Sequence, residues 1–542
     1  MASFPPTSGP SAFGSPTFLT SPRVVRIRMD AAIADPLVAL ERLRARGLTG
    51  PGTVLLESCG PELPTTRCSI LVPRPLLRVE ARSGVVCAVP LLDDATPLID
   101  ALCQCWPGAT RHDRGVRAAF AAATFDPALT DDERLRAPSI LDALRAVVSL
   151  VGDRPAPSKQ AAPALAPGLF GVFAYDLVDH FESLPPRRPA CNADADFTFV
   201  LGTEMVVWER AAGEMQVVGR ALPWERAAAA AERHRQLVLA LTGPIVTAPI
   251  AAPVACAPAP AEVDDTDAAF LAHVERFLEH IRQGDIFQGV LARTFTMASE
   301  APPLAVYRAL RTSNPSPYMF CLELDDGALL GASPETFLRV EGGEIEIRPI
   351  AGTARRGRTP DGAIDPDLDD RMALGLLLDP KEQAEHAMLL DLARNDVARV
   401  AQPGTCRVVQ QFAIEKYSHV QHLVSRVRGV LRPGLDALHA WRGVANMGTL
   451  TGAPKLEAMA IIRNTEPTAR GFYGGAAGYL LQDGRMDTCI VIRSLRQSGG
   501  IYRTRAGAGI VAHSVPQREL DEIEAKSLAC RIAVAMAGGG ST

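Results

Sequence analysis

Two glutamates stand on helix faces that otherwise carry leucine or alanine. In DPKEQAEHAMLLDLARND (379–396), Asp379, Pro380 and Glu382 have the form of a helix start: an N-cap carboxylate, a first-turn proline and an acid at the third position. Glu385 then shares a face with Leu389 and Leu392 at i, i+4 and i+7. On that stripe it either reaches water at the edge or is paired, because a buried charge is tolerated only with a partner. The stretch SVPQRELDEIEAKSLACRIAVAMA (514–537) repeats the arrangement. Ser514, Pro516 and Gln517 resemble a capping box, and Glu522, Lys526, Ala529 and Ala533 line one face. Two acids so placed suit a hard, oxygen-seeking cation such as Mg2+. Periodicity alone does not bring the two helices together.

Other stretches suit an anion. In GEIEIRPIAGTARRG (343–357), Ile345 and Ile347 alternate with acids before Pro349, so Gly352 and Thr353 lie just past a strand end, with Arg355, Arg356 and Arg358 following. Such basic clusters are ordinarily solvated loops, and beside a strand end they also receive anions. In IYRTRAGAGIV (501–511), Gly507, Ala508 and Gly509 let a ligand reach backbone N–H groups, or else mark a bulge or close strand packing. In TVLLESCG (53–60), Glu57 and Ser58 lie where a strand empties into a turn-rich loop, and on that basis alone Ser58 is a turn residue.

The elements that must hold these residues alternate strand and helix. RVVRIRM (23–29) reads as a strand and DPLVALERLRARG (35–47) as a helix ended by Gly47. LFGVFAYDLVDHFESLP (169–185) reads as an apolar strand entering an aromatic turn. DAAFLAHVERFLEHIRQGDIFQGVLARTF (267–295) gives a long helix, a Gly284-Asp285 break and a strand. GYLLQDGRMDTCIVIRSLR (478–496) is a hairpin turning at Asp483-Gly484. Two Pro/Ala-rich stretches, 153–168 and 243–262, read as loops or boundaries. The organisation expected is a disordered lead-in (1–22), an N-terminal region (23–242), a linker (243–262) and a C-terminal region (263–537).

Over 542 residues, 47% hydrophobic and 22% charged content with a formal net charge of −5 describe a soluble globular protein, with nothing that advertises nucleic acid or an anionic membrane. No apolar run approaches about 18 residues, and the N-terminus lacks the basic start and apolar stretch of a secretory signal. The 11 cysteines are scattered, and Cys103 and Cys105 have no matching second pair, so zinc and a disulfide framework are not expected and reduced cytoplasmic thiols are.

Taken in order, NPSPYMF (314–320), GASPE (331–335), PIAGT (349–353), EHAMLLDLARND (385–396), HLVSRVRG (422–429), NMGTLTGAPK (446–455), YGGAAGY (473–479), DTCIVIRS (487–494) and AGAGIV (506–511) resemble the chorismate-utilising enzymes, most closely their anthranilate synthase component I branch. The resemblance implies an α+β fold whose antiparallel sheets pack in a sandwich-like core surrounded by helices. It implies that chorismate and ammonia give anthranilate and pyruvate through aminodeoxyisochorismate, the first step of tryptophan biosynthesis. By this likeness Glu385 and Glu522 hold Mg2+. Gly352, Thr353, Tyr473, Arg493 and the backbone of Gly507, Ala508 and Gly509 receive chorismate, a dianion that needs cations and backbone donors. His422, which read alone is more often a structural histidine than a proton carrier, takes by its place in HLVSRVRG the family's proton-transfer role in pyruvate elimination, and Thr449 and Lys526 match further active-site positions.

Within the family, relatives that make aminodeoxychorismate carry a nucleophilic lysine in a PIKGT version of the motif, where this chain has Ala351, so direct attack by ammonia is implied. The water-using isochorismate and salicylate synthases fit less well. An aminodeoxyisochorismate synthase that stops before pyruvate loss and a silent tryptophan-binding regulator are the alternatives. By the same likeness Glu57, Ser58, Pro317, Tyr318 and Met319 form an inhibitory L-tryptophan site, with the N-terminal region regulatory and the C-terminal region catalytic. Two positions depart from the pattern: Cys68, with Arg67 beside it, stands where lysine is usual, and Gly289 stands where a β-branched residue is usual. None of the 11 cysteines sits in a glutaminase nucleophile elbow, so the resemblance implies a separate glutamine amidotransferase subunit, in a heterotetramer of two of each chain.

Overall fold

Antiparallel pairing dominates the chain. The computed structural model describes residues 23–539 apart from 30–33, 60–67, 121–128, 152–164, 222–225, 243–255 and 418–419. The lead-in, Arg67 and the centres of both Pro/Ala-rich stretches therefore lie outside the described residues. Two large sheets hold the described strands. The first runs from Arg23–Arg28 at one edge through Val54–Glu57, Tyr318–Leu324 and Ile501–Val511 to Gln288–Ala298 near the other. The second runs from Ile350–Arg355 and Val420–Val430 through Ala476–Leu481 and Gly168–Phe173 to Thr110–His112.

Both halves of the chain supply strands to both sheets. In the first, Val54–Glu57 pairs with Tyr318–Leu324, Glu57 opposite Met319. In the second, Gly168–Phe173 pairs with Ala476–Leu481. The facing sides interdigitate, with Val54, Ile70, Phe320 and Leu329 meeting Phe170, Val172, Val200 and Cys489 in one buried layer. Helices cover the outer sides. Trp208, Tyr307 and Cys530 lie in the layer outside the first sheet, while Phe173 and Trp441 stack at 4.2 Å in the layer outside the second. This is the α+β sandwich with a helical coat that the motifs imply.

Local chemistry explains the site-bearing elements. Asp379 caps the helix Pro380–Val400 by accepting the N–H groups of Lys381 (2.8 Å) and Glu382 (3.3 Å). The helix Asp267–Gln283 ends at Gly284, whose φ of 85° is the left-handed conformation a helix C-terminus needs. The hairpin turn at Asp483-Gly484 forms as expected, with Gly484 at φ 87°. The capping box at Ser514 does not form: Val515 is the N-cap of Pro516–Ala537 and no side chain caps it. Ser514 instead accepts the Val511 N–H at 3.1 Å, closing the turn out of the preceding strand, while Pro516 removes one of the N–H groups a cap would have served. Gly289 also has a packing reason: a Cβ there would come within 2.6 Å of the buried Phe277 ring, which fills the space a branched side chain would take. Among the described residues no helix is long and apolar enough to cross a membrane.

Candidate active site

The site forms where the chain crosses from one sheet to the other. Gly327–Ser333 belongs to the first sheet and Thr336–Glu341 to the second, and Glu335 lies in the crossing between them. Met486–Ile490 and Ser494–Ser498 are likewise split between the sheets, with Arg493 in their crossing at φ 48°, a strained left-handed value for a side-chain-bearing residue. The two crossings run side by side, Ile490 N–H donating to Glu335 O (3.0 Å) and Ala332 N–H to Arg493 O (3.1 Å).

Arg493 is mostly withdrawn from water, and its side chain has no carboxylate or hydrogen-bond partner among the described residues. Desolvation lowers its pKa, and Tyr473 and Glu522 lie close enough to act on its charge. Tyr473 is buried, its hydroxyl 2.9 Å from where a Cβ on Gly507 would stand, so the glycine is required for that approach. Lys526 donates to Gly507 O at 2.9 Å and pairs with Glu522 at 2.6 Å, joining the Gly507-Ala508-Gly509 strand to an acid of the metal-type pair.

Charged side chains of the two helices that periodicity could not join come within electrostatic reach of one another. Lys381, 3.6 Å from Glu385, also responds to Glu382 and to Glu519 of the other helix. Glu382 is raised, first by burial and then by Glu385, with Glu522 contributing; Glu519 is raised by burial and by Glu522. Glu382, Glu385, Glu519 and Glu522 thus form one electrostatically linked set near two helix N-termini, whose dipoles favour negative charge. Glu385 and Glu522 are partly exposed, their side chains 29% and 47% accessible, so they face the opening and not a core. Glu382 and Glu519 are missing from the sequence-derived set, although each lies three residues before a selected glutamate on the same helix face. No three carboxylates, histidines or cysteines among the described residues close into a finished metal cage, so a cation here would take further oxygens from a ligand.

His422 sits on the strand Val420–Val430, opposite Thr353 of Ile350–Arg355, across a bulge centred on Gly352. Its Nδ1 lies 3.2 Å from Gly352 O and 3.1 Å from Thr353 Oγ1. A carbonyl accepts only, so Nδ1 carries the proton and Nε2 keeps its lone pair. Burial, with Arg493 adding to it, lowers the His422 pKa and keeps the ring neutral. Tyr417 stands edge-on to it at 5.4 Å, and its hydroxyl donates to Glu415 (3.0 Å), which Arg348 grips with contacts of 2.5 and 2.7 Å.

Sequence reasoning also passed over Glu335. Burial raises its carboxyl to about 8, against the pull of Thr449 and Lys526. Glu335 Oε1 and Thr449 Oγ1 are both buried and do not meet in a well-formed hydrogen bond. The signal was an acid inside the GASPE motif, hidden by its position between strands.

Around Ser58 the expected neighbours do assemble. Ser58 Oγ donates to Pro317 O at 2.9 Å, and Cys59 N–H donates to Ser316 O at 3.0 Å. Tyr318 turns inward, its hydroxyl 3.0 Å from both Thr336 Oγ1 and Asp487 Oδ1 of the second sheet. The Glu57 carboxylate points the other way, into the outer helical layer, where Tyr307 donates to it at 2.6 Å and Arg311 stands at 3.1 Å. Met319 lies in the same outer layer. The structure therefore does not bring the Glu57 and Met319 side chains to the face that Tyr318 occupies. Cys68 offers no charge in place of lysine, because burial pushes its thiol up to about 12; among the described residues Arg485 and Arg339 are cations near it.

Residues 99–530 match the family described as chorismate binding enzyme. The chain is 41% identical over 498 residues to anthranilate synthase component 1 of Salmonella typhimurium (strain LT2), covering 90% of this chain and 92% of that one. It is 39% identical over 532 residues to the Serratia marcescens protein of the same name, covering 96% and 98%. Among solved structures, anthranilate synthase component I from Streptococcus pneumoniae TIGR4 superposes with a TM-score of 0.69 at 26% identity, over 92% of this chain and 98% of that one.

Proposed function

The chain belongs to the chorismate-binding enzyme family, and from that premise we propose that it converts chorismate and ammonia to anthranilate and pyruvate. The observation that carries this reading is the pairing of opposites across one cradle. Arg493, whose guanidinium makes no hydrogen bond or ion pair among the described residues, lies within electrostatic reach of Glu522, one of a set of carboxylates with too few cations. A dianionic substrate bound with a divalent cation satisfies both.

In this reading Arg493 takes one substrate carboxylate with its planar fork, and Tyr473 with the Gly507-Ala508-Gly509 backbone fixes the ring against it. The donor set fits a hard cation: Glu385 and Glu522 would hold Mg2+, which would supply charge compensation and polarisation at the ring carboxylate. Glu335, protonated at neutral pH, donates a proton to the 4-hydroxyl, which leaves as water while ammonia adds at C2. Neutral His422 then takes the C2 proton through Nε2 as the enolpyruvyl C–O bond breaks, pyruvate departs and the ring becomes aromatic. Lys526 holds Glu522 and Gly507 in register, and Thr449 lies beside the proton donor.

Ammonia from glutamine requires a separate amidotransferase subunit, and the Ser58–Pro317–Tyr318 junction is the inhibitory tryptophan site. Supporting the latter is the bridge Tyr318 makes between the sheets whose crossings carry Glu335 and Arg493. Replacing Arg493 with alanine tests the cradle. A charge-assisted contact of about 1.5–3 kcal/mol predicts a chorismate KM some 10- to 150-fold higher, with ammonium dependence unchanged. An unaltered chorismate KM would remove Arg493 from the substrate site.

A further inference from the structure

Beneath the proposed cradle lies an ion cluster that the chemistry above does not use. Glu466, the C-terminal cap of the helix Lys455–Thr465, and Arg470 are both buried. Arg470 holds Glu466 through two contacts, Nε to Oε2 at 2.9 Å and Nη2 to Oε1 at 2.6 Å, and Arg505 adds a second guanidinium on Oε2 at 2.7 Å. Two guanidiniums share one carboxylate, so Arg470 is not needed to neutralise Glu466.

What Arg470 touches identifies its purpose. Its Nη1 donates to Leu450 O, next to Thr449, and its Nη2 to Val290 O at 2.7 Å. Val290 and Ala292 pair with Gly509 and Gly507, so this contact and the one from Ala292 N–H to Glu466 Oε1 (2.9 Å) fix the strand behind the small-residue cradle. Its carbonyl accepts the Tyr473 N–H at 3.1 Å, and its guanidinium lies 5.8 Å from the centre of the Tyr473 ring and 4.7 Å from that of Tyr175. One fork thus ends on three separate segments of the site.

We propose that Arg470, locked by Glu466, is a positioning residue that holds Thr449, Tyr473 and the Gly507–Gly509 backbone in one catalytic geometry; this rests on the chorismate reading above. Only a rigid planar fork reaches Leu450 O, Val290 O and both Glu466 oxygens together, so lysine, a point charge, replaces it in part. Two variants test the assignment. Arg470→Met leaves Glu466 balanced by Arg505, and Arg470→Lys keeps the charge without the fork.

A displacement of about 1 Å in a catalytic group costs on the order of 100-fold. The expected result is a kcat/KM lower by about 100-fold in Arg470→Met and about 10-fold in Arg470→Lys, carried mainly by kcat. Hydrogen exchange is expected to quicken in 288–298 and 501–511 of the otherwise folded variants. Exchange reports the geometry whether or not chorismate turns over, so failure of the positioning role is distinguishable from failure of the functional reading. A folded Arg470→Met with kcat/KM within threefold of the parent, or with unchanged exchange in those strands, overturns the proposal. So does failure of both variants to fold, which would assign the pair to folding alone.

Discussion

Glu335 and His422 occupy environments that push their proton affinities in opposite senses to the same end. Burial holds the Glu335 carboxyl up at about 8, so it is protonated at neutral pH, and burial holds the His422 imidazole down, so it is neutral there. Activity that needs protonated Glu335 is lost as pH rises through about 8, and activity that needs neutral His422 is lost as pH falls through the depressed imidazole pKa. At fixed free ammonia, the kcat profile is expected to show both limbs. Glu335→Gln is expected to lower kcat by roughly 100-fold or more and to erase the alkaline limb. An alkaline limb that survives the substitution assigns it to another group. At this scale sequence was a partial guide. Arg493 and Tyr473 match the resemblance and lie within electrostatic reach of one another, whereas the role proposed for Glu335 depends on burial between two strands, which no local spacing displays.

Elements place these groups through backbone features that a sequence pattern only suggests. Gly352 holds φ 63° in the bulge opposite His422, and a Cβ there would stand 2.8 Å from Glu382 Oε2 and 2.9 Å from Leu376. Gly352→Ala therefore combines left-handed strain of about 1 kcal/mol with displacement of an acid from the carboxylate cluster. A modest fall in Tm, with a larger loss of kcat and a higher Mg2+ requirement, is the expected outcome; wild-type Mg2+ dependence would show that Glu382 tolerates the shift. The start of Pro380–Val400 was readable from Asp379 because N-cap chemistry is local. The start of Pro516–Ala537 was misread because Ser514 has a competing donor, Val511 N–H, supplied by the strand before it. That charges on the two helices reach one another depends on the tertiary fold, which periodicity within either helix does not display.

At the scale of the whole molecule the two halves of the chain are interleaved. Residues on both sides of the 243–262 stretch share two sheets, and the crossings between those sheets carry Glu335 and Arg493. A ligand at the proposed Ser58–Tyr318 site would therefore act on the packing of both sheets, which Tyr318 bridges. The fold class was legible because motif order ran through the C-terminal half, while the shared sheets were not, since strand partners several hundred residues apart leave no periodic trace. The central claim is the reaction, and it is tested most directly by supplying the purified chain with chorismate, ammonium and Mg2+ and following anthranilate fluorescence alongside pyruvate. Equimolar anthranilate and pyruvate, suppressed by tryptophan and abolished by Glu522→Gln, is the result this account predicts. Chorismate consumed without pyruvate, or not consumed at all, would contradict it.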